Sequence, residues 1–84
     1  MQYHLQEKRF SRLFSILGEL SPHSELTVHD LAVEYEVNER TIERDLEVLR
    51  AAQLGVFYDE YATVKISRVG YARIKSWIEG AKEE

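Results

Sequence analysis

The sequence contains no cysteine, which excludes a disulfide framework and a thiolate zinc site. No apolar run approaches the length needed to span a bilayer. Met1-Gln2-Tyr3-His4-Leu5 shows no basic start followed by an apolar stretch, so no secretory leader is expected and the setting is read as cytoplasmic and reducing. No glycine-rich phosphate loop is present. His4, His23 and His29 have no metal-ligand spacing, and no nucleophile and base pair is evident, so neither catalysis, a cofactor, a metal nor a small-molecule ligand is expected. Cations are also in the minority: 11 Lys and Arg against 15 Asp and Glu give a net charge of −4. That balance speaks against a strongly basic nucleic-acid binder.

What remains is a chain of 84 residues, 44% hydrophobic and 31% charged, the size of one compact domain. Its charge is unevenly placed. Glu25, Asp30, Glu34 and Glu36 fall in a stretch from Glu25 to Asn38 that has no Lys or Arg, whereas Lys8 to Arg12 and Lys65 to Lys75 are locally basic. The local field at a groove-facing surface matters more than the sum over the molecule.

Periodicity predicts four helices and a hairpin. Leu13, Ile16, Leu17 and Leu20 recur at helical spacing over about 6–20, with Phe10 one turn earlier on the same side. Lys8, Arg9 and Arg12 lie near the start of that helix, and Arg12 is a candidate phosphate contact. Ser21-Pro22-His23-Ser24 ends it, and Glu25-Leu26-Thr27 has the makings of one short strand. Thr27 with Asp30 three residues on resembles a capping box and opens a helix over 28–36. Asn38 is a strong N-cap for a helix over 39–53, whose apolar face is Ile42, Leu46, Leu49 and Gln53, with Gly55 as its stop. Val56-Phe57-Tyr58 and Ala62 to Ile66 read as wing strands around Asp59-Glu60-Tyr61. Ser67 caps a last helix over 68–79, closed by Gly80. Its stripe of Tyr71, Ile74, Trp77 and Ile78 either covers the first helix or forms a homodimer contact.

The order of elements is that of a winged helix-turn-helix, mainly α with a small β-hairpin wing, spanning 1–84 as a single domain. With Ile42 as the inward direction, Arg40 and Arg44 project about 160° and 200° away, outward and one turn apart. Two guanidinium forks in that position suit the major groove, where arginine pairs bidentately with guanine. Thr41 flanks them, and Asn38, Lys65 and Arg68 complete the set expected to face DNA.

The segment Leu31-Ala32 to Val37-Asn38-Glu39-Arg40-Thr41-Ile42-Glu43-Arg44-Asp45-Leu46 resembles the helix-turn-helix of DeoR-type and WYL-domain bacterial transcriptional regulators. The resemblance runs from Leu13 to about Phe57 and is most specific over Arg40 to Leu46. It implies that Arg40, Thr41 and Arg44 contact duplex DNA, that Asp45 helps fix the helix within the domain, and that the domain is the N-terminal part of a longer regulator. Asn38 replaces the usual serine, and Glu43 stands where DeoR-type proteins carry an arginine. The competing expectation is a winged helix used for protein–protein contact without DNA.

Overall fold

The structure, a computed structural model, describes the backbone of residues 2–82 and the side chains of residues 8–80. In chain order it comprises α1 (Gln2–Glu19), α2 (Val28–Glu34), α3 (Glu39–Ala51), β1 (Val56–Tyr58), β2 (Val64–Ile66) and α4 (Arg68–Lys82). This is a small, mainly helical unit with one antiparallel hairpin, compatible with the winged-helix layout expected from the sequence.

The helix starts follow from their caps. The Thr27 hydroxyl accepts from the Asp30 amide, and the Asp30 carboxylate accepts from the Thr27 amide, both at 3.0 Å, completing the expected capping box. Asn38 Oδ1 accepts from the Thr41 amide at 2.8 Å, and Ser67 Oγ accepts from the Gly70 amide at 3.1 Å. Each satisfies an amide that a helix start would otherwise leave without a partner.

The helix ends depart further from expectation. α2 stops at Glu34, and Glu36 then takes a left-handed conformation (φ 54°) that lets the Val37 amide reach back to the Ala32 carbonyl at 3.0 Å. α3 stops at Ala51 because Gln53, not Gly55, adopts the left-handed turn at its end (φ 59°). Gln53 is therefore exposed rather than inward, and Leu54 fills the buried place it was expected to hold. α4 does not end at Gly80 but continues through it to Lys82.

One core joins all of these elements. Ile16 and Leu20 from α1, Leu31 and Ala32 from α2, and Ile42, Leu46 and Leu49 from α3 meet Leu54, Val56, Val64, Ile66 and Ile74. Burial of such side chains, at about 1.5–3 kcal/mol each for the larger ones, is the main favourable term in a domain this small. Of the stripe expected either to cover the first helix or to form a dimer contact, Ile74 belongs to this core and Tyr71 packs half-buried against it. Phe10, expected on the core side of α1, is 60% exposed because nothing in the described chain closes over that side of the helix.

The hairpin pairs Val56 with Ile66, Phe57 with Lys65 and Tyr58 with Val64. β2 begins at Val64 rather than Ala62 because Ala62 sits left-handed (φ 62°) in the turn. The turn is closed by the Asp59 amide donating to the Thr63 carbonyl and the Ala62 amide donating to the Asp59 carbonyl, both at 3.0 Å, as in a tight turn followed by a left-handed residue. The Asp59 carboxylate accepts from the Tyr61 and Thr63 amides at 2.9 Å and from the Thr63 hydroxyl at 2.6 Å. These bonds, the Thr63 hydroxyl foremost, hold its pKa down at about 2. The short strand expected at Glu25 to Thr27 is reduced to one bridge, with the Val64 amide donating to the Leu26 carbonyl at 2.7 Å.

At the base of the hairpin the chain passes itself closely. Gly55 has φ +83°, and a Cβ on Gly70 would lie 1.9 Å from the Leu54 carbonyl oxygen. No side chain fits there without moving backbone.

Gly70→Ala is therefore expected to destabilise the domain by about 1–3 kcal/mol in denaturant unfolding, as overpacking does; an unchanged midpoint would refute the close approach. The hairpin turn carries a pH signature as well. Because the folded Asp59 carboxyl is depressed to about 2, its contribution is fully present above its ordinary value of 3.8 and is lost as the pH falls through about 2. The stability difference between the parent and Asp59→Asn should accordingly shrink between pH 5 and pH 2. A difference that stays constant over that range would show that the charged form is not the one the turn requires.

Candidate nucleic-acid interface

α3 carries the candidate site on the face opposite its core contacts. Ile42 and Leu46 are fully buried and Leu49 nearly so, whereas Arg40, Glu43, Arg44 and Glu47 are exposed. These four side chains line one shallow depression on the surface. Arg40 and Arg44 lie one turn apart, as projected. Among the described residues neither enters an ion pair, although Glu43 and Glu47 stand beside them. A solvated helix that neutralised its own arginines would pair them; here both forks remain without an acceptor among the described residues.

The inward side of the same helix holds a charge. Asp45 is 1% exposed and receives both Nε and Nη2 of Arg12 from α1, the second at 3.1 Å. Arg9 Nε lies 3.9 Å from the same carboxylate. Asp45 thus ties α3 to α1. The hydrogen bond to the Asp45 carboxylate raises the Arg12 pKa further, keeping the guanidinium charged.

The other expected site residues divide. Asn38 is exposed at the start of α3, and its Oδ1 also accepts from the Thr41 hydroxyl at 2.9 Å, so both side chains serve the cap. Thr41 keeps its methyl and its acceptor lone pairs beside Arg40 and Arg44. Arg68 is exposed at the start of α4, with no ion pair among the described residues. Arg12 and Lys65, expected toward DNA, are instead held by intramolecular partners. Lys65 Nζ donates to the Ser24 carbonyl and lies 3.4 Å from the Asp59 carboxylate, leaving the side chain 17% exposed.

On the hairpin, Tyr61 is 77% exposed at the turn and Tyr58 is 38% exposed at the end of β1. The Tyr58 phenol lies within the electrostatic reach of α3: burial raises its pKa, with Glu43 and Glu47 adding to the rise and Arg50 opposing it. The exposed face of α3 therefore mixes Arg40 and Arg44 with Glu43 and Glu47 and is not uniformly basic.

The Arg12–Asp45 pair is a contact that sequence reasoning missed, having placed Arg12 at a phosphate. A signal was available: Asp45 projects about 60° from the inward direction of Ile42, on the edge of the apolar stripe. An acid so placed needs a cation from whatever helix packs over it.

Among the described residues no group of His, Asp and Glu is arranged to hold a metal ion. His29 is exposed and pairs with Glu39 across the start of α3 at 3.0 Å. The side chain of His4 lies outside the described residues. No described helix is long and apolar enough to cross a membrane. Compared with known proteins, the chain matches no family model, no curated protein and no solved structure.

Removal of the cation alone should expose what the buried pair does. Arg12→Ala strands a buried carboxylate and is expected to cost about 3–5 kcal/mol of stability, whereas Arg12→Met combined with Asp45→Leu should recover most of it. Thermal unfolding of the two variants checks this; a single variant as stable as the parent would mean that the carboxylate finds solvent.

Proposed function

We propose that this domain binds duplex DNA sequence-selectively as the winged helix-turn-helix of a transcriptional regulator, with α3 in the major groove. The observation that carries the reading is the pair of outward arginines, Arg40 and Arg44, exposed and free of ion pairs among the described residues. They stand on a helix whose opposite face is buried and clamped by Arg12 and Asp45. An arginine that needs an acceptor, on a rigid helix, is matched by guanine O6 and N7. The Val-Asn-Glu-Arg-Thr-Ile-Glu-Arg-Asp-Leu segment, similar to that of DeoR-type and WYL-domain regulators, supports the same reading.

The roles assigned differ by residue. Arg40 and Arg44 read bases, the Thr41 methyl lies against a thymine methyl or its hydroxyl against a phosphate, and Arg68 meets the backbone beside the wing. Asn38 positions α3 rather than reading sequence. Glu43 and Glu47 repel phosphate and lower non-specific affinity, so selectivity rests on a few contacts and binding weakens with salt. We assign the domain no catalytic role and no cofactor.

A second reading has one observation in its favour. With Lys65 and Arg12 engaged within the chain, and with Glu39, Glu43 and Glu47 on α3, the surface is closer to charge balance than most DNA-binding faces. A winged-helix module for protein–protein contact has such a surface.

Selection from random duplex DNA at low and moderate salt, with the Arg40→Ala/Arg44→Ala double variant as control, separates the two. An enriched motif that the control loses is expected, and Arg44→Ala alone should weaken specific binding by about 1–3 kcal/mol. Absence of enrichment together with absence of salt-dependent binding would overturn the DNA reading in favour of the protein-contact one.

A further inference from the structure

The outward face of α3 carries its charges in an order that does not serve the helix. Arg40 and Arg44 are like charges one turn apart, and so are Glu43 and Glu47. Like charges at that spacing weaken a helix. The opposite charges nearest one another on the face are Arg40 with Glu43 and Arg44 with Glu47. In both the cation comes first, the less favourable direction for a helical ion pair, and neither pair closes among the described residues. Arg40 also stands in the first turn, where the helix dipole disfavours a cation. All four side chains are exposed and line one depression, so the set is open to an external partner.

Glu43 occupies the central place in that set. At about 1.5 Å of rise per residue it lies about 4.5 Å past Arg40 and about 1.5 Å short of Arg44 along the axis. It falls inside the span that the two arginines mark out, whereas Glu47 lies about 4.5 Å beyond Arg44. Around the axis, Asp45 turns to α1 and is held there by Arg12. Glu43 lies on the opposite flank, toward the hairpin: after burial, its charge is the next cause of the raised Tyr58 pKa. No cation of the fold draws Glu43 inward; it has no ion pair among the described residues.

The chemistry of the groove selects what such a carboxylate meets. In the major groove guanine presents the acceptors N7 and O6, and its partner cytosine presents the N4 amino donor. An arginine fork beside a carboxylate supplies the complement of that edge, since the fork only donates and the carboxylate only accepts. Guanine O6 and thymine O4 are acceptors and repel a carboxylate. Adenine has an amino group, but its N7 acceptor stands beside it. Cytosine alone offers the amino donor with no acceptor next to it on that edge.

We infer that Glu43 is a base-reading residue whose carboxylate accepts from the N4 amino group of a cytosine, beside the guanines held by Arg40 and Arg44. This role presupposes the DNA-binding reading and deepens it: the preferred site contains a cytosine within the run that the two arginines contact, and guanine and thymine are rejected there. Repulsion of phosphate by Glu43 acts on every sequence alike, whereas base reading acts at one position, so the two effects are separable.

Selection from random duplex DNA with the parent, Glu43→Gln and Glu43→Ala, followed by titration of the parent site and its single-base variants, tests the role. The parent motif is expected to contain the cytosine. Glutamine pairs bidentately with adenine N6 and N7, so Glu43→Gln should lower the preference for cytosine at that one position by about tenfold and shift it toward adenine. Glu43→Ala should leave the same position without preference. Glu43 is exposed, and circular dichroism of both variants should match the parent. A motif unchanged in both variants, with tighter binding to every sequence, would show that the carboxylate only repels phosphate; the inference would fall and the DNA reading would stand. A parent that enriches no motif would remove the DNA reading and this role with it.

Discussion

A carboxylate buried beneath a helix is costly unless a cation shares its place, and Asp45 is such a carboxylate. The guanidinium of Arg12 meets it through two hydrogen bonds, and this fixes more than the distance between α1 and α3. Leu, Ile and Val accept small rotations of a helix about its own axis, because dispersion contacts are non-directional. A bidentate pair does not. With Asp45 clamped, rotation of α3 is determined, and so is the direction in which Arg40 and Arg44 point. The outward face is set from the inward one.

That dependence gives the domain an uneven electrostatic character. Two cations that a count of charges would place at the surface are drawn into the fold, Arg12 to Asp45 and Lys65 to Ser24 and Asp59, while Arg9 stays exposed at 3.9 Å from the Asp45 carboxylate. The remaining positive charge on α3 is concentrated at its outward turns and its last turn, and acids separate it. A surface of this kind attracts polyanions weakly at long range and discriminates at short range, where hydrogen-bond geometry rather than net charge decides.

Much of the fold was legible because it is written locally. Thr27 with Asp30, Asn38 with Thr41, and Ser67 with Gly70 are partners three residues apart, so the helix starts could be read from adjacent residues. The stripe of Ile42, Leu46 and Leu49 follows from one helical period, and so does the exposure of Arg40 and Arg44. What was not legible was settled across the chain or against propensity. Gln53, Glu36 and Ala62 take left-handed turns that glycine adopts more readily, at a cost of roughly 1 kcal/mol or more, and their amides donate within those turns to the Arg50, Val33 and Asp59 carbonyls. Arg12 and Lys65 could be read as surface cations because their partners lie 33 and 41 residues away. Phe10 is exposed and Ile74 buried because the side of α1 that faces the core depends on where α4 lies, and a helical period does not contain that information.

The loop between α1 and α2 has a bearing on how the chain assembles. Ser21, Ser24 and Leu26 are joined to β2 by the Ile66 amide, the Val64 carbonyl and the Val64 amide, and by Lys65 as well. Ser24 and Val64 stand 40 residues apart in sequence, and the whole of α2, α3 and β1 lies in the span they close. Helices form within about a microsecond, but closing a long span loses chain entropy before any contact compensates for it. The seam therefore places a distant contact in a largely helical domain, and topology of that kind slows folding relative to a simple bundle. Until it closes, β2 has only its hairpin neighbour, Val64 and Ile66 have no complete core to enter, and the hairpin is the part of the nascent domain most open to pairing with another chain.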